Sequence, residues 1–397
     1  MQYRKMGSLE WKVSALGFGA MRLPSRRLSL MGADFEESKR IIRYGIDRGI
    51  NYVDTAWFYH LGESEKFLGE ILKDGYREKV KLVTKLPMPL VRRTEDFDRY
   101  LDQQLERLQT DFLDIYLFHS MNAGAFEKLK RLDLLKKMEE AHKQGRIGHI
   151  GFSFHDTQPV FREIIDYYDW DMTQIQYNYM DTGLQATTEG LEYAHSKGIA
   201  VVVMEPIKGG TLANPPQEAV EVMDSSSVQR TPVDWALQFV WNKPEVATVL
   251  SGMSNMQQVI ENCDSADLSG INSLNEEEND VIGRLAEIYR KKILVPCTSC
   301  EYCMPCPHGV NIPQNFAILN NVSFDSGIRR VMTRRNYRKL VGNPDKVNMD
   351  NPDGNALICT DCGVCVEKCP QEINIPVELV KVHAILGKRE KILKYFD

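Results

Sequence analysis

Four side chains in the first third of the chain have the types needed for acid–base chemistry: Asp54, Tyr59, Lys85 and His119. Asp54 lies in Asn51-Tyr52-Val53-Asp54, Lys85 closes Leu82-Val83-Thr84-Lys85, and His119 closes Asp114-Ile115-Tyr116-Leu117-Phe118-His119. Each therefore ends a short, largely apolar run, and Tyr59 follows Asp54 closely. A charge within an apolar strand is costly to bury unless it is paired, and Lys85 and Asp54 on neighbouring strands can pair with each other. A carbonyl that accepts a hydride becomes an alkoxide and needs a proton. Tyrosine alone is too weak an acid, with a pKa near ~10, but a neighbouring ammonium stabilises the phenolate and eases proton release. Asp54 would hold Lys85 in place and charged, while His119 would orient the carbonyl oxygen. A second chemistry lies further on: eight of the nine cysteines fall between Cys297 and Cys369, in two tight groups. Clustered thiols without a secretion signal point to metal rather than disulfides.

The elements that must position these residues alternate between strand and helix. Candidate strands are Ser14–Met21, Asn51–Ala56, Val80–Leu86, Phe112–His119, Ile147–Phe154, Met172–Tyr179, Ile199–Pro206 and Val246–Gly252. Between them, Phe35–Arg48, Ser64–Leu72, Glu95–Leu108, Phe126–Lys143 and Pro232–Trp241 carry helical spacing. Gly49, Gly75, Gly145 and Gly198 stand where helices stop before the next strand. Eight such alternations predict an all-parallel sheet, because parallel strands need crossover helices. An open doubly wound sheet would carry a G-x-G-x-x-G turn after its first strand, and Gly17-Phe18-Gly19-Ala20-Met21 does not fit it. The α/β fold expected is a closed (β/α)8 TIM barrel, with Met1–Lys12 as an N-terminal hairpin turning near Gly7-Ser8. Barrel sites form at the C-terminal ends of strands, where the four acid–base residues stand. Asn275–Lys292 reads as one more amphipathic helix and Pro296 as a boundary, giving a barrel domain over 1–292 and a second domain over 293–397. Ile312–Asn320, Gly327–Leu340 and Ile375–Ile385 make that second domain small and mainly helical.

Asp54-Thr55-Ala56-Trp57-Phe58-Tyr59…Gly62-Glu63-Ser64-Glu65, with Lys85 and His119 behind it, resembles the catalytic tetrad of the aldo-keto reductases. The resemblance implies NADPH-dependent carbonyl reduction, or the reverse alcohol oxidation, with Tyr59 as the acid. It also suggests cofactor contacts. Ser153 and Gln174 resemble the pair that holds the nicotinamide amide, although Phe154 and His155 follow Ser153 where the family has Asn. Met204 stands where an aromatic ring usually stacks on the nicotinamide, and Met can pack against a ring. Gly19, within the first strand, joins this set. Ser251-Gly252-Met253-Ser254-Asn255…Gln258…Glu261-Asn262 resembles the adenosine-phosphate motif, which offers Gly252, Ser254, Asn255, Gln258 and Asn262. Many members carry Lys and Arg at the places of Gly252 and Gln258, so both NADP(H) and NAD(H) stay open.

Cys359-x-x-Cys362-x-x-Cys365-x-x-x-Cys369-Pro370 resembles the cluster-binding run of bacterial ferredoxins, in which the fourth Cys serves the other cluster. Cys297-x-x-Cys300-x-x-Cys303-x-x-Cys306-Pro307 has one residue fewer before its last Cys. A zinc site would use pairs with a longer spacer. The resemblance implies two 4Fe-4S clusters, one on Cys297, Cys300, Cys303 and Cys369 and the other on Cys306, Cys359, Cys362 and Cys365. The helical insert between the groups is closer to the α-helical ferredoxins. Such clusters would exchange electrons with an external carrier or a substrate, or else be structural and orient a capping domain.

Composition limits the alternatives. A net charge of -6 gives no broad basic surface for nucleic acid, and the apolar stretches are too short to span a membrane. Met1-Gln2-Tyr3-Arg4-Lys5 leads into polar residues rather than a secretory core, so a cytoplasmic location is expected. His60, His149 and His155 read as solvated or substrate-lining, Cys263 as structural, and Glu276–Asp280 as a solvated helix start. The leading function is an oxidoreductase acting on a small carbonyl or alcohol. The alternatives are a redox-sensing barrel with little turnover and an electron-transfer subunit.

Overall fold

A computed structural model describes residues 1–24, 34–325, 327–342 and 354–396 of the chain. It packs as two compact units, Met1–Pro206 with Val233–Leu274, and Ile207–Pro232 with Asn275–Asp397. No helix among the described residues is long and apolar enough to cross a membrane.

In the first unit, β1 (Tyr3–Lys5) and β2 (Lys12–Ser14) form the antiparallel hairpin. Eight further strands follow: β3 (Leu16–Gly19), β4 (Tyr52–Asp54), β5 (Lys81–Leu86), β6 (Leu113–Met121), β7 (Ile147–Phe154), β8 (Met172–Gln176), β9 (Ala200–Met204) and β10 (Val246–Ser251). They close into a barrel in the order β10-β3-β4-β5-β6-β7-β8-β9, every neighbouring pair parallel. Runs such as Ala200-Val201-Val202-Val203 are apolar on both faces because helices cover the outside and side chains fill the inside.

The helices follow from pattern and caps. Phe35–Asp47 starts where the Asp34 carboxylate accepts the Glu37 N–H, buries Ile41, Ile42, Gly45 and Ile46, and ends before Gly49. Gly49, Gly75, Gly145 and Gly198 all have positive φ, as helix ends require. The stretch Phe126–Lys143, expected as one helix, is two: Ala123–Arg131 and Leu134–Lys143. They break at Asp133, whose left-handed φ of 51° no continuous helix can hold.

Inside the barrel the period of two sorts polar from apolar. Tyr52, Val83, Leu117, Met172 and Val202 belong to one buried apolar cluster, which the hairpin residues Met6 and Val13 join. Two residues further along the same strands stand Asp54, Lys85, His119, Gln174 and Met204. The site residues therefore form the layer above an apolar plug, on the same inward face.

The second unit takes in residues that precede the cysteines in the chain. Helix Glu276–Lys292 and the segment after β9 pack with the C-terminal residues. The Tyr289 hydroxyl bonds the Leu212 carbonyl at 3.2 Å, Arg230 pairs with Glu278 at 2.7 Å, and Lys292 pairs with Glu218 at 2.7 Å. These partners lie far apart in the chain, so no local pattern announces them. A second apolar core joins Val295, Ile312, Phe316, Leu319, Ile375 and Ile385.

Candidate active site

At the C-terminal mouth of the barrel, Lys85 Nζ donates to Asp54 Oδ1 at 2.7 Å and to the Thr55 carbonyl at 2.8 Å, and lies 3.3 Å from the Tyr59 hydroxyl. Lys85 is 1% exposed and Asp54 2%, so the pair is removed from water and one charge answers the other. The Tyr59 and His119 rings meet edge to face at 6.2 Å. The four residues expected from the sequence thus share one cluster.

The loop carrying Tyr59 is pinned from behind. Ser64 Oγ bonds Thr55 Oγ1 at 2.8 Å and the Ala20 carbonyl at 3.2 Å. The fully buried Glu65 accepts from Thr84 Oγ1 at 2.7 Å and from Gln104 Nε2 at 2.5 Å, and pairs with Arg107 at 3.2 Å. Arg107 in turn covers the Trp57 ring. Gly62-Glu63-Ser64-Glu65 is therefore a brace that ties the loop to β4, β5 and the first barrel loop.

Burial pushes the Asp54 carboxyl above its ordinary range, and the Lys85 charge pulls it back. Burial, then the Lys85 charge, then His155, hold His119 well below the usual imidazole range. His119 is therefore neutral at neutral pH and can hydrogen-bond an oxygen without adding charge.

Other histidines depart from the solvated or substrate-lining reading. His60 Nε2 accepts the Leu23 N–H at 3.0 Å and burial lowers its pKa, so it fixes a loop. His149 meets the hairpin's Trp11 at 3.5 Å. Cys263 is buried in the helix Met256–Asp267, its thiol pushed up to about 11 by burial.

Ser153 and Gln174 face each other in the β7–β8 register. Ser153 Oγ accepts the Ser120 N–H at 2.8 Å, leaving its own hydrogen to donate. Gln174 Oε1 is a buried acceptor with no hydrogen-bond partner among the described residues. One spare donor beside one spare acceptor is what a primary carboxamide needs, so the residues present fit a nicotinamide. Met204 ends β9, half-buried, and Gly19 ends β3. Ser254, Asn255 and Gln258 cap the helix Met256–Asp267: Asn255 Oδ1 accepts the Gln258 N–H at 3.0 Å, and Gln258 Oε1 accepts the Ser254 N–H at 2.8 Å. Asn262 reaches Ser251 Oγ at 3.0 Å. A residue absent from the sequence reading is Arg22. Its aliphatic carbons lie 3.1–3.2 Å from where a Cβ on Gly252 would stand. The parallel pairing of β10 with β3 brings Arg22, just past the end of β3, beside Gly252 at the end of β10.

In the second unit, Cys297, Cys300, Cys303 and Cys369 line one small cavity closed by Ile312 and Phe316. Burial and the neighbouring Cys297 and Cys369 push the Cys303 thiol up to about 12. Burial raises Cys359 and Cys365 as well, and both sense Cys306 and Cys362. The Ser299 N–H points at Cys297 Sγ at 3.4 Å. Cysteines lining one apolar cavity, with an N–H donor on a sulfur, have the chemistry of iron–sulfur ligands, although among the described residues no three metal-ligating side chains stand close enough together to hold a metal ion as they lie.

The aldo/keto reductase family model matches residues 15–280, and that of a 4Fe-4S dicluster domain matches residues 296–375. The chain belongs to the aldo/keto reductase family. It is an NAD(P)H-dependent oxidoreductase that carries a 4Fe-4S domain at its C-terminal side. L-galactose dehydrogenase of Arabidopsis thaliana is 27% identical over 285 residues, covering 66% of this chain and 87% of that protein. The NADH-specific methylglyoxal reductase of Escherichia coli is 26% identical, covering 54% of this chain and 78% of its own. A solved aldo-keto reductase from Bacillus halodurans superimposes with a TM-score of 0.60 at 27% identity, over 72% of this chain and 96% of that one.

Proposed function

We propose that this chain reduces a small-molecule carbonyl, or oxidises the matching alcohol, with Tyr59 as proton donor, and that its C-terminal cysteines hold two 4Fe-4S clusters. The observation that carries the reading is Lys85 Nζ in contact with both Asp54 and Tyr59 at the barrel mouth. NAD(P)H, when bound, supplies a hydride to the carbonyl carbon. As charge develops on the oxygen, Tyr59 gives up its phenolic proton to it. The Lys85 ammonium at 3.3 Å stabilises the phenolate left behind. Asp54, bonded to Lys85 at 2.7 Å, holds it in place, and neutral His119 hydrogen-bonds the same oxygen. Ser153, with a hydrogen to donate, and Gln174, with a free acceptor, would hold the carboxamide of a nicotinamide, and Met204 and Gly19 at the neighbouring strand ends would border its ring. Arg22 beside Gly252, with Ser254, Asn255, Gln258 and Asn262, would supply a cation near the adenosine phosphate, so loss of the usual cations at positions 252 and 258 leaves NADP(H) open.

Cys297, Cys300, Cys303 and Cys369 hold one cluster, and Cys306, Cys359, Cys362 and Cys365 the other. A bound 4Fe-4S cluster passes single electrons, which suits exchange with an external carrier. A cytoplasmic setting keeps eight thiols reduced for this purpose. The test is oxidation of NADPH and NADH by a panel of simple aldehydes and ketones with the anaerobically prepared chain. Tyr59→Phe is expected to lower kcat by about 10²–10⁴-fold; an unchanged rate would remove Tyr59 from the chemistry.

A further inference from the structure

His155 ends a buried line of hydrogen bonds whose direction is set at its far end. The Asn178 side-chain oxygen accepts the backbone N–H groups of Met180 at 3.0 Å and Asp181 at 3.1 Å. Backbone amides can only donate, so the other end of Asn178 must be its Nδ2, which donates to Asp181 Oδ2 at 3.0 Å. That oxygen is thereby an acceptor, and Gln176 Nε2 donates to it at 2.9 Å. Gln176 consequently offers its Oε1, which takes Gln185 Nε2 at 3.3 Å. Gln185 in turn presents Oε1 to His155 Nδ1 at 3.2 Å. A carbonyl oxygen cannot donate, so Nδ1 carries the hydrogen. The remaining ring nitrogen, Nε2, is then a lone pair in the neutral imidazole.

Three further observations put His155 next to the reacting residues. The His155 N–H donates to the Met121 carbonyl at 2.9 Å, which fixes His155 beside the end of β6, two residues beyond His119. The residue keeps some exposed surface although the ring is largely shielded, and its hydrogen bonds among the described residues are made by Nδ1 and the backbone N–H, not by Nε2. Burial first, with the Lys85 charge also disfavouring protonation against the Gln185 hydrogen bond, brings His155 to about 4, so the ring stays neutral around neutrality.

We infer that His155 is a specificity-determining residue whose Nε2 accepts a hydrogen bond from a substrate hydroxyl near the reacting carbonyl, making α-hydroxy ketones and aldehydes the favoured substrate class. The inference rests on the reductase reading above. Gln185 acts one step back, as a positioning residue that fixes the tautomer. A hydroxyl satisfies Nε2, a methyl group does not, and an ether oxygen meets it lone pair to lone pair.

The test uses three small ketones with the anaerobically prepared full chain and NADPH: hydroxyacetone, butan-2-one of nearly the same size, and methoxyacetone. The readout is the ratio of kcat/KM values between ketones, compared across variants so that intrinsic reactivity cancels. His155→Leu is expected to cut the hydroxyacetone to butan-2-one ratio by about 5- to 100-fold, the range for leaving one buried hydrogen-bonding group unmade. Gln185→Met, which removes only the acceptor facing Nδ1, is expected to lower the same ratio by a smaller factor. The wild type should favour hydroxyacetone over methoxyacetone, and His155→Leu should narrow that gap. A ratio unchanged within about twofold in His155→Leu, or a wild type that treats methoxyacetone as it treats hydroxyacetone, overturns the proposal. Affinities of the ketones for the protein with oxidised cofactor, by calorimetry, separate the two readings. Turnover of none of them would sink the reductase reading, while a hydroxyacetone preference in binding that His155→Leu abolishes would still support this one.

Discussion

Replacing Lys85 by Met tests the central pair through stability, independently of turnover. The ammonium contacts Asp54 at 2.7 Å and both groups are almost fully shielded. Met fills most of the same volume, but it leaves the Asp54 carboxylate buried and unanswered, a loss of about 3–5 kcal/mol in comparable pairs. Asp54 can escape by taking up a proton. From an ordinary carboxyl pKa of ~3.9, protonation costs about 4 kcal/mol at pH 7 and about 1.5 kcal/mol at pH 5, at about 1.36 kcal/mol per unit. The sign follows from the direction of the shift. Burial already raises Asp54 in the folded chain, and a carboxyl raised above its unfolded value loses stability as pH rises. Removing Lys85 enlarges the shift and extends that window upward. At about 2–4 °C per kcal/mol for a domain of this size, Lys85→Met should melt about 8–16 °C below the wild type at pH 7 and about 3–6 °C below it at pH 5. Melting of the anaerobically prepared chain, followed by circular dichroism at both pH values, reads this directly. The double variant Lys85→Met/Asp54→Leu should lose the extra pH dependence, since an apolar pair asks for no proton. Equal penalties at both pH values, or a double variant as pH-sensitive as the single one, would refute the view that Lys85 neutralises a buried carboxylate.

Two further outcomes concern the second unit. Cys369→Ser and Cys306→Ser should each lose one cluster, halving the iron from about eight to about four atoms per chain. Cys369→Ser should spare the set that includes Cys359, and Cys306→Ser the set that includes Cys297; iron and sulfide analysis with electron paramagnetic resonance of the reduced protein distinguishes them. A Cβ at Gly209 would lie 2.0 Å from the Thr298 carbonyl oxygen, at a φ of +63°. Gly209→Ala should therefore displace Thr298, destabilise this unit by more than ~1 kcal/mol, and speed iron loss from the cluster that Cys297 would hold. Iron release to a chelator, timed against the wild type, measures it.

The residues for the chemistry were legible because each carries a local signal. Lys85 and His119 are polar residues ending apolar runs, Tyr59 sits in a dense motif, and the cysteines repeat every third residue. The eight strands were equally legible, since alternation with glycine-stopped helices leaves few topologies. Helix Thr187–Ser196 carries a weak signal, because Leu191 and Ala194 are its main buried apolar side chains, whereas helix Gln158–Tyr167 buries Phe161, Ile164 and Ile165 at regular helical spacing.

Sequence alone determined which acids, bases and thiols the chain has and in what order strand ends present them, because side-chain period and turn chemistry act over a few residues. Tertiary structure decided everything that depends on register between distant segments. It set Asp54, Lys85, His119, Gln174 and Met204 in one layer above an apolar plug, and laid Arg22 over Gly252. It drew residues 207–232 and 276–292 into the cysteine-bearing unit. It also oriented His155 through Gln185, Gln176 and Asp181, because a hydrogen bond has a direction that only the identity of its far partner can supply.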